Sequence, residues 1–282
     1  MDKIFVDGMV KHLVINGSLE WAWWKALGLV MTTGRKYFID SGSFEKTHRL
    51  TLPMVIEVHK PGIRPLAPIM PEGVPPPTTE EKINEYAASL VTNEMADKNQ
   101  HYTYGQDLWW QIEEVIKYFK KYGFGNACCH MPVGRPESFY FYNWDVDYHE
   151  MIVVEDRRTG ETLWTRHITN TWNKNPNIEV STQCLRGVDC WMEDGKLHFW
   201  CYFRSNDLRN GWSENHGGIQ IMKEMMAERL GLEDGVLITS CKDLHVYESS
   251  WLAALQQLKK DKDKDILLKL GLDVQDNVQD AA

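Results

Sequence analysis

Apolar and polar positions along this chain follow two periodicities, and each periodicity predicts a type of element. Residues 17–34 and 106–123 carry apolar side chains every three or four positions and end near a glycine, which predicts two helices. Residues 48–61, "HRLTLPMVIEVHKP", alternate with a period of two, which predicts a strand. Helical and strand patterns are mixed without a regular strand–helix–strand repeat, so the predicted fold class is α+β.

A hairpin is predicted where the alternation is most regular. Residues 184–192 and 196–204 read as two strands, and the "EDG" between them supplies the turn. The second strand divides its side chains between two faces. One face holds Leu197, Phe199, Cys201 and Phe203, and the other holds His198, Trp200, Tyr202 and Arg204. A glycine-rich loop is then expected over 203–218, and a helix over 219–231.

Other segments depart from regular patterning. Residues 61–78 contain seven prolines, which predicts an irregular loop that is a candidate lid. Residues 140–178 include a predicted hairpin around "RRTG" and are expected to be an insertion. Residues 273–282 are expected to form a flexible tail. The whole of 1–282 is predicted to be a single catalytic domain.

Composition narrows the function classes. A net charge of −9 and a pI near 5.6 disfavour a nucleic-acid-binding protein, which is normally basic. No apolar run approaches the ~18 residues of a membrane span, and the first residues lack a secretion signal, so the expected location is the cytoplasm. Six cysteines without a CxxC pair argue against a metal site and predict free thiols. Twelve tryptophans suit a site that stacks flat rings, although core packing is their commoner use.

Cys184 admits two interpretations from its own sequence context. It is either a half-buried strand cysteine, which is the commoner case, or a nucleophile. A nucleophilic thiol needs cationic neighbours that favour the thiolate. Arg186 follows two residues later and Arg204 lies across the predicted hairpin, so both guanidinium groups are candidates for that role.

Polar residues follow the hairpin. Arg204 and Ser205 end the second strand and offer groups that bind phosphate. Asp207 stands in the glycine-rich loop, where ordinary turn chemistry is the alternative explanation. His245 and Tyr247 are two apart in a predicted strand, so they share a face. Both can bind a sugar hydroxyl, although a structural role is the commoner one.

These residues occur in the order found in thymidylate synthases, and the chain resembles that family. The wording "CLRGVDCWMEDGKLHFWCYFRSNDLRNGW" and "GLEDGVLITSCKDLHVYESSW" is most similar to the archaeal type. "HYTYGQDLWWQIEEVIKYF" is similar to the family's Tyr-Gly loop and following helix. The likeness is strong over residues 100–123 and 181–251. It implies a large mixed sheet with flanking helices, and a homodimer whose subunits pack sheet to sheet.

The resemblance implies catalytic and phosphate-binding roles. Cys184 matches the nucleophile that adds to C6 of a pyrimidine nucleotide. Arg204 and Ser205 match ligands of the phosphate, and the arginine also lies beside the thiolate. Tyr104 matches a tyrosine of the proton-transfer network. The general-acid glutamate lies on a helix before that tyrosine in the family, and Glu85 is the candidate here.

The same resemblance implies residues for the base, the sugar and the folate. Asn215 matches the asparagine that binds the O4 and N3 edge of uracil. His245 and Tyr247 match the pair on the deoxyribose 3′-hydroxyl. Asp207 matches a residue that contacts the base through its backbone and the folate through its carboxylate, and Gly211 is a further candidate for folate binding.

Several positions depart from the family pattern. Gln183, after Thr182, stands where proline usually precedes the nucleophile, and Glu214 stands where an apolar residue is usual. The family's paired arginines, which the partner subunit donates to the phosphate, have no counterpart in "GNACCHMPVGRPE". Arg135 or Arg166 is therefore the expected substitute.

The implied reaction is the reductive methylation of dUMP to dTMP, with 5,10-methylenetetrahydrofolate as the donor of carbon and hydride and without a metal. A related hydroxymethylase acting on dUMP, dCMP or CMP, in which water captures the C5 methylene group, is the first alternative, and the polar residues at 182, 183 and 214 favour it. A binding homologue without catalysis is the second alternative. Asparagine at position 215 favours uracil over cytosine, although an amide can rotate to suit either base.

Overall fold

A computed structural model describes residues 2–39, 46–93, 103–123, 129–134, 149–155, 162–169 and 183–272, with backbone alone between 149 and 169. Contacts divide the chain into two units, one made of Met1–Val133 with Gln183–Ala282 and the other of Gly134–Thr182. The described part of the second unit is an antiparallel hairpin of β6 (His149–Glu155) and β7 (Thr162–Thr169), in the region where a hairpin was predicted. The single domain, the insertion and the tail stay predictions.

A large mixed sheet forms the first unit. Its described strands are β1 (Lys3–Phe5), β2 (Lys11–Ile15), β3 (Arg35–Ile39), β4 (Thr47–Val58), β5 (His130–Pro132), β8 (Leu185–Glu193), β9 (Lys196–Phe203), β10 (Asn206–Asp207) and β11 (Glu233–Tyr247). The order is β1-β2-β4-β11-β9-β8-β5, with β3 beside β4 and β10 beside β11. Parallel pairs (β2 with β4, β9 and β10 with β11) occur together with antiparallel ones. The predicted α+β fold with a mixed sheet is confirmed.

Helices flank this sheet. They are α1 (Leu19–Thr33), α2 (Glu80–Leu90), α3 (Gly105–Tyr122), α4 (Trp212–Leu230), α5 (Trp251–Gln257) and α6 (Lys264–Leu270). Strand β4 shows why they lie where they do, because its side chains are alternately buried and half-buried along most of its length. Its buried residues join Trp23 of α1 in the core. The helices α1 and α3 match the two predicted from periodicity.

The hairpin of β8 and β9 forms where it was predicted and divides its side chains between two faces as expected. Asp189 pairs with Trp200, and Glu193 pairs with Lys196 beside the turn. The predicted inner face is buried, whereas Trp200 and Tyr202 are exposed on the outer face. The sheet therefore carries two exposed aromatic side chains on the face opposite its core.

Helix α4 begins at Trp212, seven positions before the predicted start, so the prediction of a loop through residue 218 was wrong. Gly217 and Gly218 suggested a loop because glycine is a poor helix former. The helix uses them for close packing against α2. A Cβ atom on Gly217 would lie 2.7 Å from the Ile83 side chain, and one on Gly218 would lie 2.4 Å from the Tyr86 ring.

The proline-rich segment is irregular, as predicted, and acidic side chains of three helices bind it. Arg64 makes two hydrogen bonds to Glu224, at 2.6 and 3.0 Å. Other contacts join Ala67 N to Glu80, Ile69 N to Glu20 and Thr78 Oγ1 to Glu214. Within the described ranges, no helix is long and apolar enough to cross a membrane, and no cluster of three His, Cys, Asp or Glu residues could hold a metal.

Candidate active site

Cys184 lies at the bend that leads into β8, and its thiol is half-buried. The backbone N–H of Arg204 donates to the carbonyl of Cys184 at 2.9 Å. The Arg204 Nε atom donates to the neighbouring carbonyl of Gln183 at 3.2 Å. The hairpin thus brings Arg204 beside Cys184, as the predicted pairing of the two strands required.

The other described cysteines are buried. The Cys190 thiol donates to the carbonyl of Cys129 at 3.0 Å, and burial raises its pKa. Burial also raises the pKa of Cys201 to about 12 and that of Cys241 further. Among the cysteines that the structure describes, Cys184 is therefore the one that is not buried.

Tyr104 approaches Cys184 from the start of α3. Its hydroxyl oxygen accepts a hydrogen bond from the backbone N–H of Leu185, the residue after Cys184, at 3.2 Å. Its ring meets the Tyr86 ring edge to face, with centroids 6.4 Å apart. Glu85, the candidate general acid, lies on the exposed face of α2, whereas Tyr86 faces inward.

A buried carboxylate lies near Cys184. Asp107, in the first turn of α3, is 8% exposed. The Gln183 side chain donates from Nε2 to its Oδ2 atom at 3.4 Å. Since Gln183 directly precedes Cys184 and its carbonyl binds Arg204, its amide links the Asp107 carboxylate to the segment that carries Cys184.

Asp243 joins three elements beside the site. Its carboxylate accepts hydrogen bonds from Thr51 at 2.5 Å and from Ser205 at 3.0 Å, and it forms an ion pair with Arg49 at 2.9 Å. Its backbone carbonyl lies 3.0 Å from Nδ1 of His245. Ser205 Oγ also lies 3.4 Å from the same nitrogen. The carboxylate therefore positions Ser205 next to His245.

His245 is a buried neutral imidazole. Desolvation by burial lowers its pKa, although Asp243 acts in the opposite direction. Because Nδ1–H donates to the Asp243 carbonyl, Nε2 is a hydrogen-bond acceptor. Nε2 is buried and has no partner among the described residues. A ligand hydroxyl would supply the missing donor.

Tyr247 completes this side of the site. Its ring meets the His245 ring edge to face at 4.7 Å. Burial raises the pKa of its hydroxyl, so the group stays protonated near neutral pH. The Arg49 side chain hydrogen-bonds to it and so contacts both Tyr247 and Asp243. The same end of the site therefore holds two donors, the Tyr247 hydroxyl and the Arg49 guanidinium, and one acceptor, Nε2 of His245.

The loop after β10 is closed by Asp207. Its Oδ1 atom accepts from the backbone N–H groups of Arg209 and Asn210, at 3.0 and 3.1 Å. Its Oδ2 atom accepts from the Asn210 side chain at 2.9 Å. Gly211 N donates to the Asp207 carbonyl and caps the start of α4. The half-buried carboxylate thus fixes the loop that carries Gly211.

Asn215 lies in the first turn of α4 and contacts a second asparagine. Asn206, which is 3% exposed, donates from Nδ2 to Asn215 Oδ1 at 3.4 Å. The Oδ1 atom of Asn206 is buried without a partner in the described part of the chain. Glu214, next to Asn215, accepts from Thr78 of the proline-rich segment at 3.2 Å.

A basic cavity adjoins Asp243. It has a volume of 550 Å³, and four cationic side chains line it, those of Lys11, Arg35, Arg49 and Lys242. Arg35 pairs with Thr51 in the sheet and Thr51 pairs with His245, so one cross-strand row joins the cavity to the site. Arg166 lies in β7, where only the backbone is described, and Arg135 lies outside the described residues.

The structure thus places most of the predicted site residues along β8 to β11 and the adjoining starts of α3 and α4. These residues are Tyr104, Cys184, Arg204, Ser205, Asp207, Gly211, Asn215, His245 and Tyr247. Three polar residues of this assembly were absent from the predicted set, namely Asp107, Asn206 and Asp243. Their positions in the sequence were a usable signal, because Asp107 follows the Tyr-Gly pair and the other two residues stand close to predicted ones. Their burial was not visible in the sequence.

Comparisons with known proteins give one consistent result. Residues 152–282 match the family model described as thymidylate synthase. A Methanosarcina acetivorans protein named "Putative thymidylate synthase" is 25% identical over 243 residues, which cover 86% of this chain and 92% of that protein. The thymidylate synthase of Bacillus subtilis subsp. natto is 35% identical over 83 residues, or 29% of this chain.

The fold has a counterpart among solved structures. Thermostable thymidylate synthase A from Bacillus subtilis superimposes with a TM-score of 0.56 at 14% sequence identity. The match covers 86% of this chain and 84% of the other. At this identity the likeness concerns the fold.

Proposed function

We propose that this chain, which is similar to thymidylate synthases, transfers a one-carbon unit from 5,10-methylenetetrahydrofolate to C5 of a pyrimidine nucleoside monophosphate. The favoured reaction is the reductive methylation of dUMP to dTMP. The observation that carries the proposal is the Arg204–Ser205 pair. Arg204 binds the backbone on both sides of the Gln183–Cys184 peptide, and Ser205 binds the Asp243–His245 group.

The proposed chemistry begins at Cys184. Its thiolate adds to C6 of the pyrimidine, so that C5 gains the electron pair needed to bond carbon. Arg204 balances the thiolate charge, and Asn215 binds the O4 edge where charge develops. C5 bonds to the methylene carbon of the folate, and departure of the C5 proton and then of tetrahydrofolate leaves an exocyclic methylene group on a pyrimidine that still carries Cys184 at C6. Hydride transfer from tetrahydrofolate gives the methyl group and dihydrofolate, and departure of Cys184 restores the C5–C6 double bond.

The other residues hold the substrates. We assign the sugar 3′-hydroxyl to His245 Nε2, because that buried acceptor needs a hydroxyl donor. Asp207 and Gly211 would contact the folate, and the half-buried carboxylate of Asp207 suits the N–H donors of a pterin ring. Arg204 and Ser205 would bind the phosphate. Arg166 stays the candidate for completing that site from the partner subunit.

A hydroxymethylase is the second candidate. The observation that favours it is the Asp107–Gln183 contact beside Cys184. A buried carboxylate and an amide can together orient a water molecule. Water addition to the exocyclic methylene group would then replace hydride transfer and give a 5-hydroxymethyl nucleotide with tetrahydrofolate.

The test uses 5-fluoro-dUMP with methylenetetrahydrofolate. Fluorine at C5 cannot leave as a proton does, so a covalent complex with Cys184 should accumulate and appear by mass spectrometry. Cys184→Ser should form none. If the wild-type protein forms no adduct, the proposed catalysis is refuted. With dUMP as substrate, dihydrofolate absorbance and a methyl product identify the synthase, whereas a hydroxymethyl product without dihydrofolate identifies the hydroxymethylase.

A homodimer belongs to the same proposal. Trp200 and Tyr202 are exposed on the outer face of the sheet, at 45% and 44%. Large exposed aromatic side chains on a sheet face are typical of a protein–protein interface. A second copy packing sheet to sheet would cover them. A cytoplasmic location stays a prediction.

A further inference from the structure

We propose that Asn206 determines which pyrimidine the site accepts, by fixing the orientation of the Asn215 amide. The proposal rests on the proposed function, because it concerns the base-binding residue of that site. It identifies a uracil nucleotide, and not a cytosine nucleotide, as the substrate. It also gives a role to a buried amide that the proposed chemistry does not use.

The Asn215 amide has two possible orientations, which differ in the group presented to a base. The Nδ2 group donates a hydrogen bond and suits the O4 oxygen of uracil, whereas Oδ1 accepts one and suits the 4-amino group of cytosine. An asparagine without a fixed orientation would serve both bases. Specificity therefore requires a neighbour that distinguishes the two ends of the amide.

Asn206 is that neighbour. Its Nδ2 group donates to Asn215 Oδ1 at 3.4 Å, so the oxygen of Asn215 is held on the side of Asn206. The Nδ2 group of Asn215 is then directed elsewhere as a donor. While Asn206 keeps this orientation, rotation of the Asn215 amide would bring its N–H group against the N–H group of Asn206, which is unfavourable in a buried position.

Asn206 is itself well placed to act in this way. It belongs to β10, where it pairs with Leu244 of β11, and it is 3% exposed. The neighbouring residue Asp207 pairs with His245. The backbone of Asn206 is thus fixed by the same sheet that positions the proposed sugar-binding histidine.

The surroundings of Gly211 supply a second observation. A Cβ atom on Gly211 would lie 3.4 Å from the Asp207 carbonyl oxygen, 3.8 Å from Asn215 Oδ1 and 3.9 Å from Asn206 Oδ1. Three acceptor oxygens therefore lie on one side of Gly211, and Asn206 Oδ1 has no partner in the described residues. Such a group of acceptors suits an N–H donor. Uracil has a donor at N3, and cytosine has an acceptor there.

Binding of dUMP and dCMP to the wild-type protein and to two variants tests the inference. The wild-type protein should bind dUMP at least tenfold more tightly than dCMP, as expected for about one hydrogen bond that is satisfied with one base and opposed with the other. In Asn206→Ala that ratio should fall by about fivefold or more, because the Asn215 amide is free to rotate. Asn84→Ala, a matched change on the exposed face of α2, should keep the wild-type ratio.

Asn206→Asp provides a change of nearly the same size. Its carboxylate accepts and does not donate, so Asn215 should turn its N–H group toward it and present Oδ1 to the base. The preference should then shift toward dCMP beyond that of the alanine variant. Circular dichroism and the melting temperature establish that each variant is folded.

The outcomes separate this inference from the proposed function. Tight dUMP binding with the same dUMP-to-dCMP ratio in all variants would overturn the role of Asn206 and leave the proposed function intact. A wild-type protein that binds neither nucleotide would overturn both. A wild-type protein that prefers dCMP would overturn the assignment of uracil.

Discussion

One carboxylate shows how much of the site depends on single residues. The carboxylate of Asp243 accepts hydrogen bonds from Thr51 and Ser205 and forms an ion pair with Arg49. The backbone carbonyl of Asp243 contacts His245. Asp243 thus lies beside His245, whose pKa is lowered by burial. The carboxylate therefore holds three side chains in place, and the backbone carbonyl of the same residue holds a fourth.

The first prediction is the effect of Asp243→Asn. The amide cannot accept at both positions, and its N–H group opposes the donors of Ser205 or Thr51. We expect dUMP to bind about tenfold more weakly, in line with the loss of one hydrogen bond to a charged group. Asp189→Asn, on an exposed carboxylate that pairs with His130, is the control and should bind normally. Equal affinities for all three proteins, measured by calorimetry, would contradict the organising role.

Residues of the site differ in how well the sequence predicted them. Cys184, Arg204 and His245 could be named because their order along the chain resembles that of thymidylate synthases. Asp107 and Asn206 were not named, although both stand close to predicted residues, because their importance comes from burial. Glu85 and Tyr86 are adjacent, and only the helix packing distinguishes the outward side chain from the inward one.

Helix α4 connects the site to the core. Asn215 faces the site, while His216, one residue on, is buried between Trp212 and Phe203 at ring distances of 4.1 and 5.2 Å. Its Nδ1 group lies 2.8 Å from the Trp212 carbonyl, and its Nε2 lies 2.8 Å from the Thr239 hydroxyl. The helix start is therefore held to β11 by a neutral imidazole.

The second prediction concerns acid stability. Burial lowers the pKa of His216 from its ordinary 6.5 to about 4. Because the unfolded chain binds this proton more readily, stability is complete above pH 6.5 and falls as the pH drops toward 4. We expect the wild-type protein to lose roughly 3 kcal/mol more than His216→Gln over that range. Urea unfolding at several pH values measures this difference, and His59→Gln, on a half-exposed histidine, should follow the wild-type curve. Parallel curves for wild type and His216→Gln would contradict it.

At the level of elements, the periodic signals were the dependable ones. Both predicted helices and the β8–β9 hairpin formed because their apolar stripes meet one core. The start of α4 was missed because two glycines normally interrupt a helix, and here the contact with Ile83 and Tyr86 requires them. A partner helix distant in sequence decided the local structure.

In the first unit, the face of the sheet opposite the core carries aromatic side chains that are exposed among the described residues. Trp191 stacks on His198 at 5.0 Å, and Trp200 donates to Ser240 at 2.7 Å, so the outer aromatic residues are fixed in place. A fixed aromatic surface loses little side-chain entropy when it associates. This favours assembly of two copies through the sheet.

The third prediction is a dimer that depends on this face. Light scattering should give twice the chain mass of 32.8 kDa for the wild-type protein. Trp200→Glu combined with Tyr202→Glu should give the monomer, because two buried like charges on each copy would face each other. Trp109→Glu, on an equally exposed tryptophan of α3, should leave the dimer unchanged. A wild-type monomer, or a double variant that stays dimeric, would exclude this interface.

The proline-rich segment has a further consequence for how substrates enter. A lid opens at a small cost in free energy. Opening this segment would break the Arg64–Glu224 pair and three hydrogen bonds to Glu20, Glu80 and Glu214. Each of these charged contacts resists separation by about 1 kcal/mol or more. Together these contacts favour a segment that stays bound to the helices. It ties three helices together, and the last of its contacts lies beside the residue proposed to bind the base.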